Sequence, residues 1–108
     1  MKSDLEYLFS QLWLEKYPHI DLHSEYEFAK EIGRKYRFDF AHVQTKIAVE
    51  INGGIYQRNS GHSSLNGLKR DYEKNSLAAS LGWRVFTLSS EMITDYWLDL
   101  IAKAIIKS

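Results

Sequence analysis

Asp39 and Glu50 are two acids that a short hairpin would set side by side. The segments Arg37-Phe38-Asp39-Phe40-Ala41 and Ala48-Val49-Glu50-Ile51-Asn52 are short, apolar-rich and alternating, which predicts two strands. The connection through Val43-Gln44-Thr45-Lys46 is too short for a parallel crossover, so the strands must pair antiparallel. With the turn centred on Gln44-Thr45, Ala41 faces Ala48, Asp39 faces Glu50 and Arg37 faces Asn52. The other face then collects Phe38, Phe40, Ile47, Val49 and Ile51 as core. Directly opposed residues have Cβ atoms roughly 4.5–5.5 Å apart, where like charges repel. A divalent cation would remove that repulsion and use both carboxylates as hard oxygen ligands. The small alanines would leave room for a substrate above the pair. A solvated sheet face, its acids neutralised by Arg37 or Lys46, satisfies the same spacing.

The elements around this hairpin follow from periodicity. Ser3 to Tyr17 carries Leu5, Leu8, Phe9, Leu12 and Lys16 at helical spacing. Ser3 and Glu6 have the spacing of a capping box, and Pro18 ends the helix. Ser24 to Ala29 alternates Tyr26 with Phe28 as a first strand, and Ile32-Gly33-Arg34-Lys35 turns into the hairpin. Asn52-Gly53-Gly54 closes the hairpin, and the glycine-punctuated stretch from Tyr56 to Gly67 reads as a loop. A second helix spans Leu65 to Leu81, stopped by Gly82 as its C′ residue. Trp83 to Leu88 is a strand, and Thr94 to Lys107 a third helix with Ile93, Trp97, Leu100, Ile101 and Ala104 facing inward. The order α, β, β, β, α, β, α predicts one α/β domain over residues 1–108, a mixed sheet between helices.

On the second helix, Gly67, Asp71, Lys74 and Ala78 line one stripe, beside the apolar face of Leu65, Leu68, Tyr72 and Ala79. Asp71 and Lys74 are i, i+3 neighbours, which alone is the pattern of a surface ion pair.

Fourteen basic and fourteen acidic residues give zero formal charge, which argues against indiscriminate nucleic-acid affinity. The run Lys30, Arg34, Lys35, Arg37 is a local basic excess, either a solvated edge or a grip for a phosphate backbone. Without cysteine there is neither a disulfide nor a thiolate metal site. No apolar run approaches the ~20 residues that span a bilayer, and Met1-Lys2-Ser3-Asp4 does not begin a signal peptide. His19, His23 and His42 lack metal-ligand spacing, and the tryptophans suit core or interface positions.

Taken in order, these strings resemble the PD-(D/E)xK nuclease superfamily, in particular its small phage-type and very-short-patch-repair-like (mismatch-endonuclease-like) members. The resemblance runs from about Tyr26 to Leu88. It is carried by Arg37-Phe38-Asp39-Phe40-Ala41, Ile47-Ala48-Val49-Glu50-Ile51-Asn52-Gly53-Gly54, Gly61-His62, Gly67, Asp71-x-x-Lys74-Asn75 and Leu81-Gly82-Trp83-Arg84-Val85. It implies an αβββαβ restriction-endonuclease-like core with a C-terminal helix. The implied activity is hydrolysis of DNA phosphodiesters by water activated on Mg²⁺, with Mn²⁺ as a substitute. Asp39, Glu50 and the carbonyl of Ile51 would hold the metal. Glu6 would join them as the first-helix acid, or serve only its capping box.

This chain departs from the family at Asn52, which stands where the family's lysine should be. An asparagine cannot supply that charge; in related nucleases the lysine can come from the neighbouring helix, so the resemblance implies that Lys74 takes the role. His62 would assist proton transfer or grip the phosphate, and Tyr56, Arg58, Arg37 and Asn52 would contact DNA. The expected setting is intracellular and cytoplasmic, in a host cell if the chain is phage-encoded. Junction, mismatch or nicking specificity, action as a homodimer, and an inactive DNA-binding module that keeps the fold all remain open.

Overall fold

The computed structural model describes residues 3–52 and 65–108. The sheet is built on the hairpin. Strand β2 (Arg37–His42) runs into β3 (Ile47–Ile51) through a turn in which the Lys46 N–H donates to the Val43 carbonyl at 3.2 Å, centring it on Gln44 and Thr45. The register pairs Ala41 with Ala48, as the alternation requires. Strand β1 (His23–Glu27) pairs antiparallel with β2, and β4 (Arg84–Leu88) pairs parallel with β3. The order across the mixed sheet is β1-β2-β3-β4. Among the described residues no helix is long and apolar enough to cross a membrane.

Helix α1 (Asp4–Lys16) starts at the expected cap, the Glu6 N–H donating to Ser3 Oγ at 3.2 Å. It packs Phe9 and Trp13, with α3 (Asp95–Lys107), onto one face of the sheet against Phe40, Ile47, Val49 and Leu88. Leu8 is largely exposed instead of inward. The buried stripe of α3 is Leu98, Ile101, Ala102 and Ile105, with Trp97 and Ala104 only at its margin. This helix is apolar round more than half its girth, so periodicity finds the stripe but not its centre.

Helix α2 (Leu65–Ser80) lies across the other face. Its end is a Schellman motif: Trp83 N–H bonds to the Ala78 carbonyl at 2.9 Å, and Gly82 N–H to that of Ala79 at 3.0 Å. Gly82 has φ 86, a region where a side chain is strained.

Two expectations are overturned on this face. The alanines leave no room for a substrate: Ala41 and Ala48 are buried against Ala78 and Trp83. Phe38 also leaves the Phe40 side and stacks on Phe28, ring centroids 4.0 Å apart. Alternation breaks at Asp39. There the β2–β3 pairing has ended at Phe40↔Val49, and Glu25, at the neighbouring β1 position, has φ 52.

Candidate active site

Asp39 and Glu50 meet where β2 and β3 part. The backbone ladder stops at Phe40↔Val49, one step short of them, and the two side chains replace its next bonds. The Asp39 N–H donates to Glu50 Oε2 at 3.2 Å, and the Ile51 N–H donates to Asp39 Oδ2 at 2.7 Å. Each carboxylate thus satisfies an amide of the other strand, which fixes both rotamers at no cost in unpaired backbone. The predicted pairing of Arg37 with Asn52 is not made. Arg37 pairs with Glu27 on β1, and the Asn52 N–H bonds to the Leu88 carbonyl at 2.7 Å.

Helix α2 supplies the cation. Its half-buried residues include Gly67, Asp71 and Lys74, ahead of the fully buried Ala78, whereas Leu65 and Tyr72 are 74% and 63% exposed. The stripe assigned to the side of the helix is therefore the one facing the sheet, and the apolar face assigned from periodicity largely meets solvent. Only small or thin residues allow α2 to approach Ala41 and Ala48 closely, and this overrides hydrophobic patterning. The Lys74 ammonium bonds to Glu50 Oε1, each side chain about one-fifth exposed (21% and 20%). It also sits 5.8 Å from the centroid of the Phe38 ring, within cation–π reach. Lys74 thus pairs with Glu50 across the sheet. Neither Arg37 nor Lys46 neutralises the acids: Arg37 lies 3.9 Å from Glu25, and Lys46 bonds to the Leu81 carbonyl at 2.7 Å.

Burial pushes the Glu50 carboxyl above its usual range. The Lys74 hydrogen bond and charge pull it down, and the Asp39 charge adds to the rise. Glu6 is likewise raised, by burial first and then by the charge of Asp39, while its bonds to Ser3 oppose the rise. Glu6 therefore feels Asp39 from its capping box. Among the described residues, however, no three acidic or histidine side chains come together as a ready metal cluster.

The donor set still fits a hard divalent cation. Two adjacent carboxylates present oxygen ligands, and Asp39 Oδ1 makes no hydrogen bond among the described residues. Glu50 already draws a cation, the Lys74 ammonium. Beside them opens a recess of about 370 Å³ lined by Glu50, Ile51, Asn52, Asp71, Lys74 and Asn75, with Thr87 from β4. Asn75 closes the Asp71-x-x-Lys74-Asn75 string, whereas Thr87 carries no sequence signal of its own; only the parallel return of β4 brings Thr87 opposite Glu50. Arg37 lines a different recess, with His23, Glu25 and Lys30. Tyr56, Arg58 and His62 lie outside the described residues.

No protein-family model matches the chain, and neither does any curated protein. A solved structure, the catalytic domain of homing endonuclease I-Bth0305I, matches with a TM-score of 0.66 and 20% identity, covering 98% of this chain and 97% of that one. At that identity, what the two share is the fold.

Proposed function

We propose that the protein is a metal-dependent endodeoxyribonuclease that hydrolyses DNA phosphodiesters by direct water attack. The observation that carries this reading is the contact between Lys74 and Glu50. Asn52 leaves the hairpin without the lysine that such a site needs, and α2 supplies an ammonium at the neighbouring carboxylate. The likeness in fold to a homing endonuclease catalytic domain supports the same reading.

Asp39 and Glu50, with the Ile51 carbonyl, would hold the cation, Mg²⁺ or Mn²⁺. When bound, it supplies an acidified water and neutralises charge on the phosphate. Asp39 and Glu50 are held by amides of the opposite strand, so loading would require chiefly that Lys74 leave Glu50. Lys74 would turn from Glu50 toward the phosphate and offset the negative charge that grows there in the transition state. His62 would keep its sequence-based assignment, assisting proton transfer or gripping the phosphate. The recess on the Asn75 and Thr87 side gives the substrate strand a place beside Glu50.

The test is cleavage of labelled linear, mismatched and four-way-junction DNA with Mg²⁺, Mn²⁺ or EDTA, beside Glu50→Gln and Asp39→Asn. Metal-dependent cutting that falls at least ~100-fold in both variants is expected, since even indirect supports of a metal typically matter 10–100-fold. A folded wild type that binds DNA but cuts none of these substrates with either metal would sink the reading. The inactive binding module would then stand.

A further inference from the structure

On the flank of α2 turned toward β2, a second set of side chains is tied together. Glu73 Oε1 accepts from Arg34 Nε at 3.0 Å and from the Tyr36 hydroxyl at 2.8 Å. Arg34 is anchored at its base too, its N–H bonded to the carbonyl of buried Ala29 at 3.1 Å. Nε is the guanidinium nitrogen that donates; the two terminal nitrogens make no hydrogen bond among the described residues. Arg70 is exposed on the same flank, without an ion pair among the described residues, and close enough for its charge to act on the Tyr36 phenol. It precedes Lys74 by one helical turn.

A surface salt bridge between Arg34 and Glu73 would by itself mean little. Here the carboxylate is held by a second donor and the arginine is pinned at both ends. Arg70, without an ion pair among the described residues, acts on the same Tyr36 phenol as Arg34 does. We propose that Arg34 and Arg70 form a clamp for the DNA phosphate backbone alongside the Asp39–Glu50–Lys74 site, with Glu73 as the positioning residue that aims Arg34. This inference rests on the nuclease reading for its choice of ligand. A planar guanidinium with free terminal nitrogens suits a phosphate bidentately.

The test is fluorescence anisotropy of the full chain with labelled duplex DNA in EDTA, over about 50–200 mM salt. Arg34→Ala and Arg70→Ala should weaken binding alike on unrelated sequences. Each should also reduce the slope of log K against log salt by about 0.9 in magnitude. Glu73 separates a clamp from bulk electrostatics. Glu73→Ala and Glu73→Gln remove the same negative charge, but only Gln keeps an acceptor for Arg34 and Tyr36. The clamp requires Gln to bind at least as tightly as wild type, and Ala to bind more weakly than Gln with a shallower slope. All three positions are exposed, so thermal melts should confirm four folded variants.

Equal binding by Ala and Gln, unchanged slopes in the arginine variants, or no DNA binding by wild type would each overturn the clamp. Cleavage is not the readout, so the two readings fail separately. A protein that cuts DNA but ignores these variants loses only the clamp. One that shows the predicted slopes but never cuts keeps the clamp and loses the nuclease.

Discussion

The two faces of the sheet are packed in opposite ways. Under α1 and α3 lie Phe9, Trp13, Phe40, Leu88, Leu98 and Ile101, large side chains at essentially full burial, and α3 alone buries four residues. Under α2 the contact is made by Ala41, Ala48 and Ala78, and Ala78 is the one fully buried residue of the helix. Aromatic rings of Phe28, Phe38 and Trp83 fill the space at the β1 side. The first face holds the molecule together through buried area. The second gives up much of that area for close approach, which brings Asp71 and Lys74 over the sheet end where Glu50 stands. A desolvated carboxylate–ammonium pair is costly to assemble. The opposite face supplies the stability against which that cost is set.

The comparison breaks most visibly at Leu98. Replacing this fully buried side chain by alanine should cost about 2–5 kcal/mol in urea unfolding while leaving cleavage per folded molecule intact. Tyr72→Ala on the exposed side of α2 should stay within about 0.5 kcal/mol. If the two variants lost similar stability, the division of labour between faces would be wrong.

Next in size is Ala78→Leu. Overfilling the alanine contact should cost about 1–3 kcal/mol and lift α2 from the sheet. Activity should then fall more than stability, because Lys74 moves with the helix. Normal cleavage in this variant would mean that close approach of α2 is not what delivers Lys74.

These positions also mark what could be read in the sequence. The hairpin register was legible because a short turn and period-two alternation leave one pairing, and Asp39 beside Glu50 follows from it. The cap at Ser3 and the stop at Gly82 were legible for similarly local reasons. The orientation of α2 was not. Its inward stripe is chosen by the size of Ala41 and Ala48, residues on a separate segment of the chain, and not by its own hydrophobicity. Phe38 was misassigned because alternation presumes a continuous ladder, and that ladder is interrupted by the acids themselves. The Arg34–Glu73–Tyr36 network joins segments far apart in the chain, beyond the reach of any local spacing rule.

A smaller effect sharpens the ion pair. Lys74→Met removes the strongest influence holding the Glu50 carboxyl down, so that carboxyl should titrate higher still, by ¹³C NMR in EDTA. Because the folded value lies above the ordinary 4.5, the unfolded chain releases this proton first. Stability is therefore highest below that value and is eroded as pH rises through the raised one. In the variant the window extends upward, so its stability deficit against wild type should widen as pH climbs above the ordinary carboxylate range. A constant deficit would show that Lys74 acts on Glu50 only as packing.

The smallest expected effect lies on the other face, where Lys16 Nζ and the Tyr17 hydroxyl both donate to Asp99 Oδ1 and clip α1 to α3. The Lys16 bond, then the Tyr17 bond, hold this carboxyl below the usual range. The sign is opposite to that of Glu50: the clip stabilises above the ordinary value of 3.8 and is lost as pH falls through the depressed folded value. The group is fully exposed and water screens it, so the effect must be modest. Asp99→Asn should melt slightly below wild type at neutral pH, with the difference closing under strong acid. A difference that grew in acid would mean that the carboxylate is strained by its partners instead of held by them. The two ion pairs would then differ in place but not in kind.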